Sequence, residues 1–81
     1  MELTQAIADL KPAVYMVWDS IGYDAEELCD GDNECAVEMC VDANRLTMFA
    51  NDAAEQVLRT AIDTHGYKAV LQALSKAIIL V

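Results

Sequence analysis

Between Lys11 and Arg45 the chain has no lysine and no arginine. Nine carboxylates fall in that gap: Asp19, Asp24, Glu26, Glu27, Asp30, Asp32, Glu34, Glu38 and Asp42. Outside it, five acids (Glu2, Asp9, Asp52, Glu55, Asp63) cancel five bases (Lys11, Arg45, Arg59, Lys68, Lys76), so the net charge of −9 resides in 33 of the 81 residues. The missing bases exclude a chain that neutralises phosphates itself, and the acidic field repels anionic membrane as well. Glycine is scarce at three residues, proline occurs once, and no Gly-rich phosphate loop or low-complexity tract is present. Long apolar runs are missing too. Ala77 to Val81, at the C-terminal end, falls far short of the about 20 residues a membrane span needs. The acidic start Met1-Glu2 and the interruption at Asp9 do not make an export signal. Cysteine is present three times, an odd number that argues against a disulfide framework and for a reducing cytoplasm.

What is abundant is apolar surface. Some 56% of the residues are hydrophobic, against about 45–50% in an ordinary soluble domain. A chain this short folds as one domain, residues 1–81, and buries only about 60% of its unfolded surface. The surplus is expected to divide between a dense core and an intersubunit or partner interface.

The apolar pattern is helical. Leu3, Ile7, Leu10, Val14, Val17 and Ile21 step by three and four residues and form one stripe. Pro12 falls within it, so either a fresh helix starts with Pro12 in its first turn or one helix kinks there. A strand over residues 13–18 is the rival reading, but no second strand pattern exists to pair with it. Gly22 is expected to end this helix, and Asp24 with Glu27 to start a short one reaching about Cys29. Asp30-Gly31-Asp32-Asn33 reads as a turn, with Asp32 or Asn33 capping a helix from about Glu34 to Ala50. Asn51-Asp52 breaks that helix, and Asp52 with Glu55 repeats the capping-box spacing before a helix over about 53–65. Gly66 closes it, and an amphipathic helix runs from Tyr67 to about Leu80, with Ile79 the outlier on its polar side. The fold class is all-α, a compact bundle of four or five short helices.

On a continuous helix, Glu34, Glu38 and Asp42 would form an i, i+4, i+8 ridge with an axial spacing of about 6 Å. Like charges so placed cost a few tenths of a kcal/mol per pair. A regular row of carboxylates is what a protein copying a row of phosphates would present. Ordinary roles also exist for these acids: solubility, caps at Asp24 and Asp32, and macrodipole stabilisation by Glu26 and Glu27. Val37, Val41 and Met48 make a second apolar stripe beside the ridge, which suits self-association, as does Ile79 near the hydrophobic end of the chain. Tyr23, following Gly22 within the acidic segment, is a candidate exposed contact residue.

Catalytic and metal chemistry finds little support. Residues 30–34 resemble the start of a calcium loop, but Cys35 stands where the loop needs glycine and Val41 where it needs glutamate. Cys29, Cys35, Cys40 and His65 lack the spacing of a structural zinc site, so the cysteines read as small buried hydrophobes. His65, just before Gly66, suits a helix C-terminus. No nucleophile–base arrangement is visible, so neither an enzyme nor a cofactor is expected. Helices flanking Gly66 could be a helix-turn-helix, but Lys68 and Lys76 are too few bases for DNA.

In size, charge and helical character the chain resembles small phage-encoded inhibitors, among them DNA mimics and anti-CRISPR proteins. The acidic field implies a basic protein partner, such as a nucleic-acid-binding protein, rather than nucleic acid itself. The expected docking residues are Asp19, Tyr23, Asp24, Glu26, Glu27, Asp30, Asp32, Glu34, Glu38 and Asp42. The alternative is a self-associating adaptor, a homodimer through Val37, Val41, Met48 and Ile79, with a merely solvated acidic face.

Overall fold

A computed structural model describes residues 2–81. Five helices follow one another: α1 (Leu3–Cys29), α2 (Asn33–Cys40), α3 (Ala43–Phe49), α4 (Asp52–His65) and α5 (Tyr67–Ala77). No strand occurs among the described residues, so residues 13–18 are helical. The radius of gyration is 11.4 Å, close to the about 11.7 Å of a compact chain this long.

The expected breaks in the first helix do not occur: α1 continues through both Pro12 and Gly22 over 27 residues. Proline inside a helix costs about 3 kcal/mol. Ile7, Leu10, Val14 and Val17 are all buried around it, and burying each such side chain is worth about 1.5–3 kcal/mol. Their sum outweighs the proline, so the stripe carries the helix across. A straight helix of this length measures about 40 Å, whereas the longest dimension of the molecule is 34 Å. Accordingly α1 lies along a diagonal or bends, as proline makes helices do.

Gly22 is not a terminus but a packing residue. A Cβ at this buried position would lie 2.9 Å from Cε2 of the Trp18 indole, one turn earlier. The absent side chain lets the ring lie against the helix backbone. The true end comes at Asp30, in the left-handed region at φ 48°, followed by Gly31 at φ 82°.

The helix expected over about 34–50 is two helices. Val41 leaves helical geometry, and the Asp42 carboxylate accepts a hydrogen bond from the Arg45 backbone N–H at 3.0 Å, capping α3. An aspartate that bonds its own downstream backbone competes with helix continuation, and here it wins. Arg45 in turn donates to the Met39 carbonyl, one of the acceptors left open at the end of α2. Asp32 caps α2, accepting from Glu34 and Cys35 N–H groups. Asn51, not Asp52, caps α4, through the Ala54 N–H. Thr47 and Arg59 both donate to the Glu55 carboxylate, tying α3 to α4 and holding that carboxyl below its usual range.

α1 contacts each of the other four helices. The core comprises Leu10, Val14 and Val17 of α1 with Val37, Cys40, Leu46, Leu58, Val70, Leu74 and Ile78 from the rest of the chain. The final helix stops at Ala77 rather than about Leu80, because Asn33 holds the tail extended. Its Nδ2 donates to the carbonyls of Ser75 (3.1 Å) and Ile78 (2.7 Å), and its Oδ1 accepts from the Leu80 N–H (2.7 Å). This clasp joins the start of α2 to the end of the chain and seats Ile78 in the core.

Two substitutions test these joints. Gly22→Ala gains about 1 kcal/mol of helix propensity but overpacks the Trp18 ring, which typically costs about 1–3 kcal/mol. A net loss of stability in urea, with an altered fluorescence spectrum of the single tryptophan, is the expected outcome. Asn33→Ala removes three hydrogen bonds and should cost about 2–3 kcal/mol, with faster amide exchange at Leu80.

Candidate functional site

The acidic segment meets the fold on α1. Asp19, Tyr23, Glu26, Glu27 and Asp30 are spaced i, i+4, i+7, i+8, i+11, so they share one face of the helix. That face points away from the bundle: all five are exposed, while Gly22, Ala25 and Cys29 on the opposite side are buried. The carboxylates of this stripe carry no ion pair among the described residues. Tyr23 is 94% exposed, as its position in the acidic segment suggested. It lines a shallow open depression with Asp24, Glu26, Glu27, Asp30 and Gly31.

The ridge expected from Glu34, Glu38 and Asp42 does not exist as one helical row. Glu34 and Glu38 are exposed on α2, but α2 ends at Cys40 and the Asp42 carboxylate serves as a cap. Glu38 and Asp42 instead act together on Tyr67 at the start of α5. Partial burial, then the charges of Glu38 and Asp42, raise its phenol above the usual range. Asp32 remains exposed but is committed to capping. Asp24 lies beside the α1 stripe rather than on it and does not start a helix.

Two of the self-association residues are corrected. Val37 is fully buried and Val41 is 6% exposed. Because the chain turns after Cys40, the arc carrying these valines rolls into the core, so they form no outer stripe. Met48 and Ile79, at 72% and 70%, are exposed.

The cysteines are also corrected. Cys29 and Cys35 form a disulfide across the α1–α2 turn, with Cα atoms 5.4 Å apart, and only Cys40 is a free, buried thiol. An odd count is compatible with one bridge plus one core thiol. The αL turn at Asp30-Gly31 folds α2 back so that its first turn meets the last turn of α1. The bridge pins the loop that carries Asp30 and Asp32. Burial pushes the Cys40 thiol up to about 12, with Arg45 partly opposing the shift. No group of three or more His, Cys, Asp or Glu residues disposed to hold a metal ion is found among the described residues.

The sequence reading missed Leu28, which is 75% exposed. A signal for it exists: the core stripe continues from Ile21 through Ala25 to Leu28 in the same four-then-three step. Leu28 therefore occupies a core register at a point where the bundle no longer covers it. It borders a cleft with Ile21, Ala25, Met39 and Phe49, rimmed by Asp24 and Arg45.

No family model matches this chain, and no curated protein or solved structure matches it.

Thiol labelling tests the pairing. The native protein should take up no alkylating reagent at pH 8, since Cys40 is buried and protonated. Unfolded without reductant it should take up one group, and unfolded with reductant all three. Closing so short a loop contributes about 2 kcal/mol, so Cys35→Ser should lower stability by that order.

Proposed function

We propose that this chain is a non-enzymatic protein-binding domain whose acidic face docks on a basic surface, and that it occludes a nucleic-acid-binding site by presenting carboxylates where phosphates would lie. The observation that carries this reading is the outward stripe of α1. Its acids are Asp19, Glu26, Glu27 and Asp30, with Tyr23 between the first two; first to last they are eleven positions apart, about 16 Å along the axis. α1 holds Asp19, Glu26 and Glu27, Asp30 follows as its C-cap, and no base lies nearby in sequence to neutralise them. A basic groove that tracks a phosphate backbone is the complementary surface. Unpaired carboxylates on a rigid scaffold lose little entropy on docking, and like-charge repulsion along the row is relieved when Lys and Arg arrive. Tyr23, standing clear of the helix among these acids, supplies a rigid amphipathic contact of the kind enriched at binding hot spots.

Self-association is the second reading, and the exposure of Met48 and Ile79 favours it. Met48 lies on α3, and Ile79 lies beyond the end of α5.

No helix among the described residues is long and apolar enough to cross a membrane. A nucleic-acid-binding target would place the encounter in the cytoplasm. The Cys29–Cys35 bridge pulls the other way, because disulfides persist in oxidising compartments and are rare in the cytosol.

The test uses two baits, the protein and its Glu26→Gln/Glu27→Gln/Asp30→Asn variant, with a lysate as the source of targets. A nucleic-acid-binding protein retained at least tenfold better by the unsubstituted bait, and released by salt or competing DNA or RNA, is the expected result. Equal recovery from both baits would sink the mimic.

A further inference from the structure

We propose that the Cys29–Cys35 bridge is a redox latch on residues 78–81: its reduction frees the first turn of α2, Asn33 releases the chain beyond α5, and Ile78 and Leu80 leave the core. The latch stands whether or not the acids dock on a basic partner. Asn33 and Cys35 both belong to the first turn of α2. Cys35 ties that turn to the last residue of α1, with the two Cα atoms 5.4 Å apart. Asn33 ties it to the segment after α5, donating to the Ser75 and Ile78 carbonyls and accepting from the Leu80 N–H. One bridge and one side chain on a single turn thus connect the end of α1, the start of α2 and residues 78–80. Ile78 is fully buried and Leu80 packs against the core, while Ile79 and Val81 are already exposed. Release would turn residues 78–81 into a continuous open apolar run.

Charge supplies the opening force. Glu26, Glu27, Asp30, Asp32 and Glu34 crowd the two ends that the bridge joins; all five are exposed, and no Lys or Arg lies between Lys11 and Arg45. The bridge holds them together against their mutual repulsion. With the bridge cut, the Asp32 N–H to Cys29 carbonyl bond, at 2.9 Å, still opposes separation. α2 has eight residues, too few to hold as a helix by itself. Burial of Ala36, Val37 and Cys40 keeps its later turns seated, whereas residues 33–35 are not fully buried. Opening is therefore local to the first turn. The reductant is a dithiol. Cys29 is 5% exposed and Cys35 is more open, so a thiolate of the reductant enters at the Cys35 sulfur. Cys29 leaves as a thiolate and takes up a proton. The second thiol of the reductant then displaces Cys35 as a thiol and closes the reductant's own disulfide, so the bridge gains two electrons and two protons.

The test is backbone amide relaxation by NMR on the whole protein, oxidised and then held reduced by a small dithiol. On reduction the order parameters of Ile79 and Leu80 should fall from about 0.85 to below about 0.6, while α1, α4 and α5 keep their helical chemical shifts. Cys35→Ser should reproduce the reduced state without reductant. Asn33→Ala should leave both residues mobile in either redox state, which removes the redox difference. Raising salt to about 1 M, where the Debye length is about 3 Å, should restore order at Ile79 and Leu80 in the reduced protein, and so should Asp30→Asn/Glu34→Gln at low salt. Residues that stay rigid after reduction, with only a lower urea midpoint, would make the bridge a plain staple and overturn the latch. Loss of helical shifts throughout the reduced protein would overturn it too, because opening would then be global. Mobility unchanged by both salt and neutralisation would overturn the charge-driven opening.

Discussion

Burial of one apolar stripe on α1 is the constraint from which the rest of this fold follows. The helix touches all four of its neighbours, and its buried residues reach from Ala6 to Cys29. Four short helices of seven to fourteen residues would be marginal in isolation, since helices below about 12–15 residues barely hold in water. They gain their stability by covering the stripe. The same burial explains why a proline that would end a surface helix does not end this one.

Each short helix is then fastened by a local device. Asp32, Asp42 and Asn51 cap three N-termini with side-chain oxygens. Arg45 closes the end of α2 and the Cys29–Cys35 bridge spans the turn before it. Asn33 reaches across the chain to arrest α5 and hold the tail. These fastenings occupy Asp32 and Asp42, two of the acids expected to bind a partner. Of the acids in the base-free segment that cap no helix N-terminus, Asp19, Asp24, Glu26 and Glu27 lie on α1.

The division of labour on α1 is geometric. The helix must be buried on one side along its whole length, and it extends past the point where the bundle can cover its original stripe. Over its last turns the covered arc rotates toward Gly22, Ala25 and Cys29, against which α2 folds back. Leu28 stays behind in the old register and becomes exposed. The acids face outward, and the uncovered leucine lies on the other side of α1 in core register.

The all-α class, the α1 stripe, the turn at Asp30-Gly31 and the close at Gly66 were legible from residue spacing, because each depends on neighbours within a turn or two; Tyr23 is exposed as expected, but on the outer face of a continuous helix and not in a turn after Gly22. The roles of Gly22, Asp42 and Asn33 were not. A glycine that ends a helix and one that admits a tryptophan ring are the same letter, and only the position of the Trp18 indole separates them. The helix expected through residues 34–50 had adequate periodicity on paper. Asp42 breaks it because capping α3 and burying Val37 and Val41 together satisfy more groups than helix continuation would. Pairing of Cys29 with Cys35 required a left-handed turn to bring two helix ends together. Local propensity and charge are properties of the chain, and so the sequence by itself determined the helical class and the amount of negative charge. Which acids face outward in a row, which valines are core, and where a leucine lies uncovered depend on how the helices rotate against one another, and only the tertiary packing decided that.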